Sequence, residues 1–275
     1  RSVSLPSSLV SIGESAFAMN YGLTQLDLPE GLRKLGDMAF MSCRALERLT
    51  VPSTLEKIGK NTFSSCGSLS DVTLSEGLTA LGRLMFSGDR QLKNITLPQS
   101  LTTIGASAFQ QTGLQELHIP ASVTKIEGQA FEGTALTTVE VPGTVKTLID
   151  SAFSSCDNLR SFTLGEGFRS VPNGLLSRCR SLERVTLPQS LEKIDDYAFS
   201  ECPRLTEINI PDSVTTFGIR CFSRTGLREL TLPEGTTTIG GRAFADMPDL
   251  RELHIPASAC SPATARSRQP RCRPA

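Results

Sequence analysis

Residues 182–204 read LERVTLPQSLEKIDDYAFSECPR, and this 23-residue sentence recurs with substitutions from one end of the 275-residue chain to the other. Its apolar residues Leu182, Val185 and Leu187 stand first, fourth and sixth, while Arg184 and Thr186 fall between and beside them. A strand alternates its side chains between two faces, so this spacing predicts a short, half-buried strand. Pro188 has no N–H to give to a ladder and fixes where the strand stops. Ten of the twelve equivalent positions are Pro, with Ser75 and Gly165 as the exceptions. After the turn residue Ser190 come Leu191 and Ile194, three apart, then Ala198 and Phe199 in a segment suited to one helical or 3₁₀ turn. That second half covers the back of the strand.

A block of this length cannot bury its own apolar edge, so it is stable only when neighbours stack on both sides and share one core. The register supports stacking, because one column reads Phe17, Phe40, Phe63, Phe86, Phe109, Phe131, Phe153, Leu176, Phe199, Phe222, Phe244. Seven of its spacings are 23 and three are 22. Each 22 follows a unit in which the next strand's leucine comes five residues after Phe instead of six: Phe109 to Leu114, Phe131 to Leu136, Phe222 to Leu227. The deletion always falls in one loop, where a change of length costs least.

The pattern L-x-x-L-x-L-P-x-S/G-L-x-x-I-G-x-x-A-F-x-x-C-x-x resembles the BspA-like subclass of leucine-rich repeats, over residues 1 to about 256. The resemblance implies an α/β solenoid of about 11 repeats of 22 or 23 residues. One face would be a parallel β-sheet, the other short strands, turns and one-turn helices. Members of the family are often bacterial or protozoan surface proteins implicated in adhesion to host proteins and cells, which implies a cell-surface or secreted setting. The chain departs from the pattern where Leu176 replaces Phe, where Val171-Pro172 replaces Ile-Gly, and where Leu148-Ile149 and Ile126-Glu127 lose the Gly.

No linker or low-complexity tract divides residues 1–256, so they read as one domain. Residues 257–275 lose the pattern in CSPATARSRQPRCRPA, a basic Pro/Arg/Ala-rich tail with little to bury, expected to be disordered or a truncated end. At about 4.8 Å between neighbouring strands the array spans about 50 Å, a long shallow surface rather than a pocket. Four of the 28 Lys and Arg lie after Pro256, leaving 24 against 28 acidic residues in the repeats. A nucleic-acid binder would carry a basic face with stacking aromatics; here there is no Trp and only Tyr21 and Tyr197, so nucleic acid is set aside. No run approaches the roughly 18 apolar residues of a membrane span. The chain begins with Arg inside a strand and so reads as cut from a longer protein; with no polar capping unit in sight, its ends are expected to associate.

Five cysteines, Cys43, Cys66, Cys156, Cys179 and Cys202, stand three residues after the Phe column and form a ladder. They read as buried or loop-packing thiols ahead of occasional disulfides, since parallel stacking aims neighbouring Cβ atoms the same way. Metal sites want close C-x-x-C pairs and none occur. His118 and His254 hold the same strand position six spacings apart, about 29 Å, and cannot share a metal or a proton relay. No G-x-S-x-G nucleophile motif is present. Asn94-Ile95-Thr96 is a glycosylation sequon of the kind expected by chance. No acid–base pair, nucleophile or metal set converges, so the reading is of no enzyme, no cofactor and no small-molecule substrate.

Two outward columns remain. One runs Asp27, Thr50, Thr73, Thr96, His118, Glu140, Thr163, Thr186, Asn209, Thr231, His254, the other Gln25, Arg48, Asp71, Asn94, Glu116, Thr138, Ser161, Arg184, Glu207, Glu229, Glu252. The Thr column stabilises a sheet through cross-strand pairs. Stacked Glu207, Glu229 and Glu252 repel one another, and flanking Arg228 and Arg251 are expected to offset them. The candidate partner-binding residues are therefore Arg184, Glu207, Glu229, Glu252, His118, His254, Thr50, Thr73 and Thr96. They fit a non-catalytic recognition or adhesion module that presents a strand-built face to a host or extracellular-matrix protein. The rival reading is a passive spacer or assembly scaffold of a larger protein whose activity lies in another domain.

Overall fold

The computed structural model describes residues 3–256, and those residues form a solenoid of about eleven turns. The tail of residues 257–275, with its Cys260 and Cys272, lies outside the described residues.

Most turns contribute a strand to a front sheet of parallel neighbours in register. Gln25–Asp27, Arg48–Val51 and Asp71–Leu74 form one run. Thr138–Val141, Ser161–Leu164, Arg184–Thr186 and Glu207–Ile208 form a second, and Glu229–Thr231 with Glu252–His254 a third. The L-x-x-I half of each unit supplies two-residue strands to a back sheet. Its runs are Ser11–Ile12 to Lys57–Ile58, Ala80–Leu81 to Thr147–Leu148, and Ser170–Val171 to Thr238–Ile239. Leu and Val of both sheets fill the space between them, and the Phe column closes the third side.

The expected one-turn helices are absent among the described residues, so the fold is an all-β solenoid rather than α/β. The reason lies two residues either side of the Phe column. Ser15 and Met19 flank Phe17 with φ of 53° and 60°, Tyr197 and Glu201 flank Phe199 with 58° and 62°, and every unit between repeats the alternation. A helix needs successive right-handed residues; two left-handed ones four apart turn the segment into a rope of four-residue turns such as Ala18 N–H to Ser15 O and Met41 N–H to Met38 O.

That rope has a second bonding direction. The N–H groups of Ser15, Phe17 and Met19 donate to the carbonyls of Asp37, Ala39 and Met41 in the next unit. The amides that follow those carbonyls, Met38, Phe40 and Ser42, donate in turn to Lys60, Thr62 and Ser64, and so on to Gly241, Ala243 and Ala245 at 2.8–3.2 Å. Three unbroken chains of peptide groups thus run along the molecule, all pointing one way. Left-handed non-glycine residues cost about 1–3 kcal/mol each. The one or two per unit are offset by three added hydrogen bonds at about 0.5–1.5 kcal/mol each and, in all units but that of Leu176, by a Phe of the column at about 1.5–3 kcal/mol.

The rings stack from Phe17 to Phe153 with centroids 5.0–6.0 Å apart. At Leu176 the ring column stops, and Phe162 of the front strand turns edge-on to Phe153 at 5.4 Å instead. The column resumes at Phe199, Phe222 and Phe244. All six described cysteines are free and buried. The thiols of Cys43, Cys66, Cys156, Cys179 and Cys202 each donate to the column carbonyl of the preceding unit at 3.1–3.4 Å. Thr112, Thr134 and Thr225, at the same position, cap their own Phe carbonyl instead.

Candidate functional site

The outer face of the front sheet carries the candidate residues, and its ladder is interrupted. No strand pairing joins the positions 94–96, 116–118 and 138–140 to one another, nor 207–208 to 229–231. These are the neighbours 22 residues apart in sequence, so the deleted loop residue shows up as a missing ladder. In the shortened loops the chain runs hard against the unit before it. A Cβ on Gly113 would stand 2.2 Å from the carbonyl oxygen of Arg90, and one on Gly226 2.3 Å from that of Pro203. The first break reaches one unit further, because 71–74 and 94–96 are also unpaired.

Thr96 and His118 fall inside the first break. There Asn94, Ile95, Thr96, Glu116, Leu117 and His118, with Thr137 and Thr138, line an opening of about 590 Å³. Ile95 and Leu117 hold inward positions and are half-buried, as are Val72, Ile208 and Leu253 at the same position of paired strands, whereas Leu49, Val139 and Val185 are buried.

Thr50 and Thr73 stand opposite each other in the first run, and the Thr50 hydroxyl donates to Asp27 Oδ1 at 2.9 Å. Arg184 and Glu207 face each other across a paired register, Nε to Oε2 at 2.5 Å, with side chains 62% and 60% exposed. This hydrogen bond holds the Glu207 carboxyl below its usual range and the Arg184 guanidinium above its own. The expected stack of three glutamates is reduced to two. Glu207 lies across a break from Glu229 and is neutralised by Arg184, while Glu229 and Glu252 remain directly opposite. Their expected partners do not serve: Arg228 and Arg251 form no ion pair among the described residues, and it is His254 that approaches Glu252, Nε2 to Oε2 at 3.4 Å. In place of a ladder beyond Glu207, the Asn209 side chain bonds both the N–H and the C=O of Leu187, at 2.7 and 2.9 Å.

The face thus divides into a Thr50–Thr73 patch, the Thr96–His118 opening, the Arg184–Glu207 pair and a Glu229–Glu252–His254 group. No group of three or more His, Cys, Asp or Glu among the described residues could hold a metal ion. No helix among them is long and apolar enough to cross a membrane. Sequence reading missed the opening, whose only trace was the 22-residue spacing.

A family model described as BspA type leucine rich repeat region, six copies, matches residues 1–112, 85–204 and 151–261. The chain belongs to the BspA-type leucine-rich repeat family. A leucine-rich repeat protein from Bacteroides ovatus superposes with a TM-score of 0.62 at 25% identity, covering 86% of this chain and 61% of that one. The chain therefore spans less than two thirds of that relative's length. Another from Eubacterium ventriosum gives a TM-score of 0.60 at 18% identity, covering 90% and 82%, a likeness of fold. Among curated proteins none matches.

Proposed function

We propose that this BspA-type array is a non-catalytic recognition module that meets a host or extracellular-matrix protein with the outer face of its front sheet, at a cell surface or after secretion. One observation carries the reading. The inward positions repeat Leu, Val, Ile and Phe from unit to unit, whereas the outward positions vary among Thr, Asp, Glu, Arg, Asn, Gln, Ser and His along the array and are held in parallel register where the strands pair. A rigid scaffold with freely varied side chains at strand spacing is what protein recognition requires. Family membership supports the surface setting.

The test is binding of the purified chain to immobilised matrix proteins by biolayer interferometry. Arg184→Glu and Thr50→Lys/Thr73→Lys should each weaken binding at least tenfold, and Cys156→Thr should leave it unchanged. Loss produced equally by back-sheet substitutions such as Lys57→Glu would refute a front-face site.

A further inference from the structure

The opening on the front sheet is unusual in its main chain as well as its side chains. Residues 94–97 and 116–119 sit at strand positions of neighbouring units, yet neither run makes a backbone–backbone hydrogen bond. The strands are joined at their start, where Gln115 N–H reaches Lys93 O at 3.0 Å, and part beyond it. In the paired runs of the face the equivalent groups are bonded, as in Leu28 N–H to Thr50 O and Leu232 N–H to His254 O, and at the second break the Asn209 side chain takes the Leu187 groups. Backbone donors and acceptors deprived of a ladder are satisfied by water or by another chain, and a row of them is a template for an added strand.

The surroundings favour a particular occupant. The half-buried Ile95 and Leu117 offer an apolar floor. Glu116 and, on the next strand, Glu140 are exposed and have no ion-pair partner among the described residues, in contrast to Glu207 and Glu127, which have Arg184 and Lys125. Lys93, just outside the opening, leaves the rim negative on balance. A volume of about 590 Å³ lies within the usual range of ligand sites. Alternating main-chain donors and acceptors match the repeat of an extended polypeptide, and a negative rim disfavours nucleic acid.

Resting on the recognition reading above, we propose that this opening binds an extended segment of the partner protein by strand addition, through main-chain hydrogen bonds to residues 94–97 and 116–119, with a lysine or arginine of the segment set against Glu116 and Glu140. Recognition by strand addition draws affinity from the main chain and selectivity from the side chains beside it.

The probe is a mixture of blocked hexapeptides with lysine fixed at the third position and Val, Ile or Thr elsewhere, added to the full chain and read by amide hydrogen exchange and by fluorescence-polarisation competition. Protection should rise at residues 94–97 and 116–119. Methylating alternate peptide nitrogens, which removes donors but keeps the side chains, should weaken binding at least tenfold. The chain variant Glu116→Lys/Glu140→Lys should prefer the mixture with glutamate at the third position, and since both residues are exposed it keeps the fold. Equal binding of methylated and unmethylated peptides, no binding, or protection confined to other strands would overturn the proposal. If that happens while Arg184→Glu still abolishes matrix-protein binding, strand addition falls and the recognition face stands; if Arg184→Glu also has no effect, both fall.

Discussion

Asp89 stands where the other inner units place Cys or Thr, and replacing it should change how the stability of the whole array depends on pH. Its side chain is wholly buried, its Oδ1 takes the Cys66 N–H at 2.7 Å, and its Oδ2 has no hydrogen-bond partner. Burial raises the Asp89 carboxyl well above its usual range, with the bond from Cys66 only partly opposing it. The neighbouring Cys66 thiol is itself pushed up by its contact with Cys43 and by burial, so it does not titrate alongside. The folded chain therefore keeps a proton that the unfolded chain releases near pH 3.9. Stability is at its full value below that pH and falls by about 1.4 kcal/mol for each pH unit between there and the raised folded value, beyond which it is level. Asp89→Asn has no proton to lose. At pH 5 it should lie within about 1–3 kcal/mol of the native chain, the range for one imperfectly placed buried polar group. The difference should then move in favour of Asn as pH rises. Urea unfolding at pH 5, 6.5 and 8, with exchange protection of the Cys66 amide as a local probe, measures this. Parallel pH profiles for the two chains would refute the buried, proton-holding carboxyl.

Gly113→Ala sets a methyl 2.2 Å from the Arg90 carbonyl, backbone against backbone, and should cost about 1–3 kcal/mol, seen as a lower melting temperature. Leu176→Phe should destabilise the chain, because Phe162 already turns toward Phe153 beside the gap in the ring column. Combined with Phe162→Leu it should regain stability, with a coupling of about 0.5–3 kcal/mol in a double-mutant cycle by urea unfolding. Arg184→Glu should leave the melting temperature nearly unchanged, since both members of the pair are largely exposed and solvent screens them; a marked loss in thermal melting would make the pair structural rather than a recognition feature.

The repeated strand was legible because Val185 and Leu187 alternate with Arg184 and Thr186, a period that only a strand satisfies, and because Pro188 marks its end. Stacking of the Phe column followed from its register alone. The helical turn around Ala198-Phe199 was misread. Tyr197 and Glu201 are ordinary helix-compatible residues, and their left-handed conformation comes from bonds to Ile219 and Ser223, 22 residues away, which no local propensity encodes. The fate of the glutamate row was hidden likewise. Whether Glu207 meets Glu229 depends on a ladder lost through one missing loop residue, and the neutralising Arg184 comes from the unit before, not from the flanking arginines. Thr96 and His118 were singled out by column, but that they share an opening depends on how far the strands part.

The breaks in the front sheet do not divide the molecule, and the reason shapes what the face can do. Where the front ladder is missing between 71–74 and 138–140, the back ladder from Ala80 to Leu148 is continuous. Where the back ladder is missing between Ile58 and Ala80, or between Leu148 and Ser170, the front strands Arg48–Val51 with Asp71–Leu74 and Thr138–Val141 with Ser161–Leu164 are paired. The three peptide chains through the turns pass every one of these junctions without interruption. Continuity is thus carried by the turns, whose hydrogen bonds polarise one another in a shared direction, and by whichever sheet remains. The front strands are relieved of that duty at chosen places. A loop deletion can then open the face at Thr96 and His118 without costing the array its cohesion, so unpaired main chain persists on a rigid support where a partner can reach it.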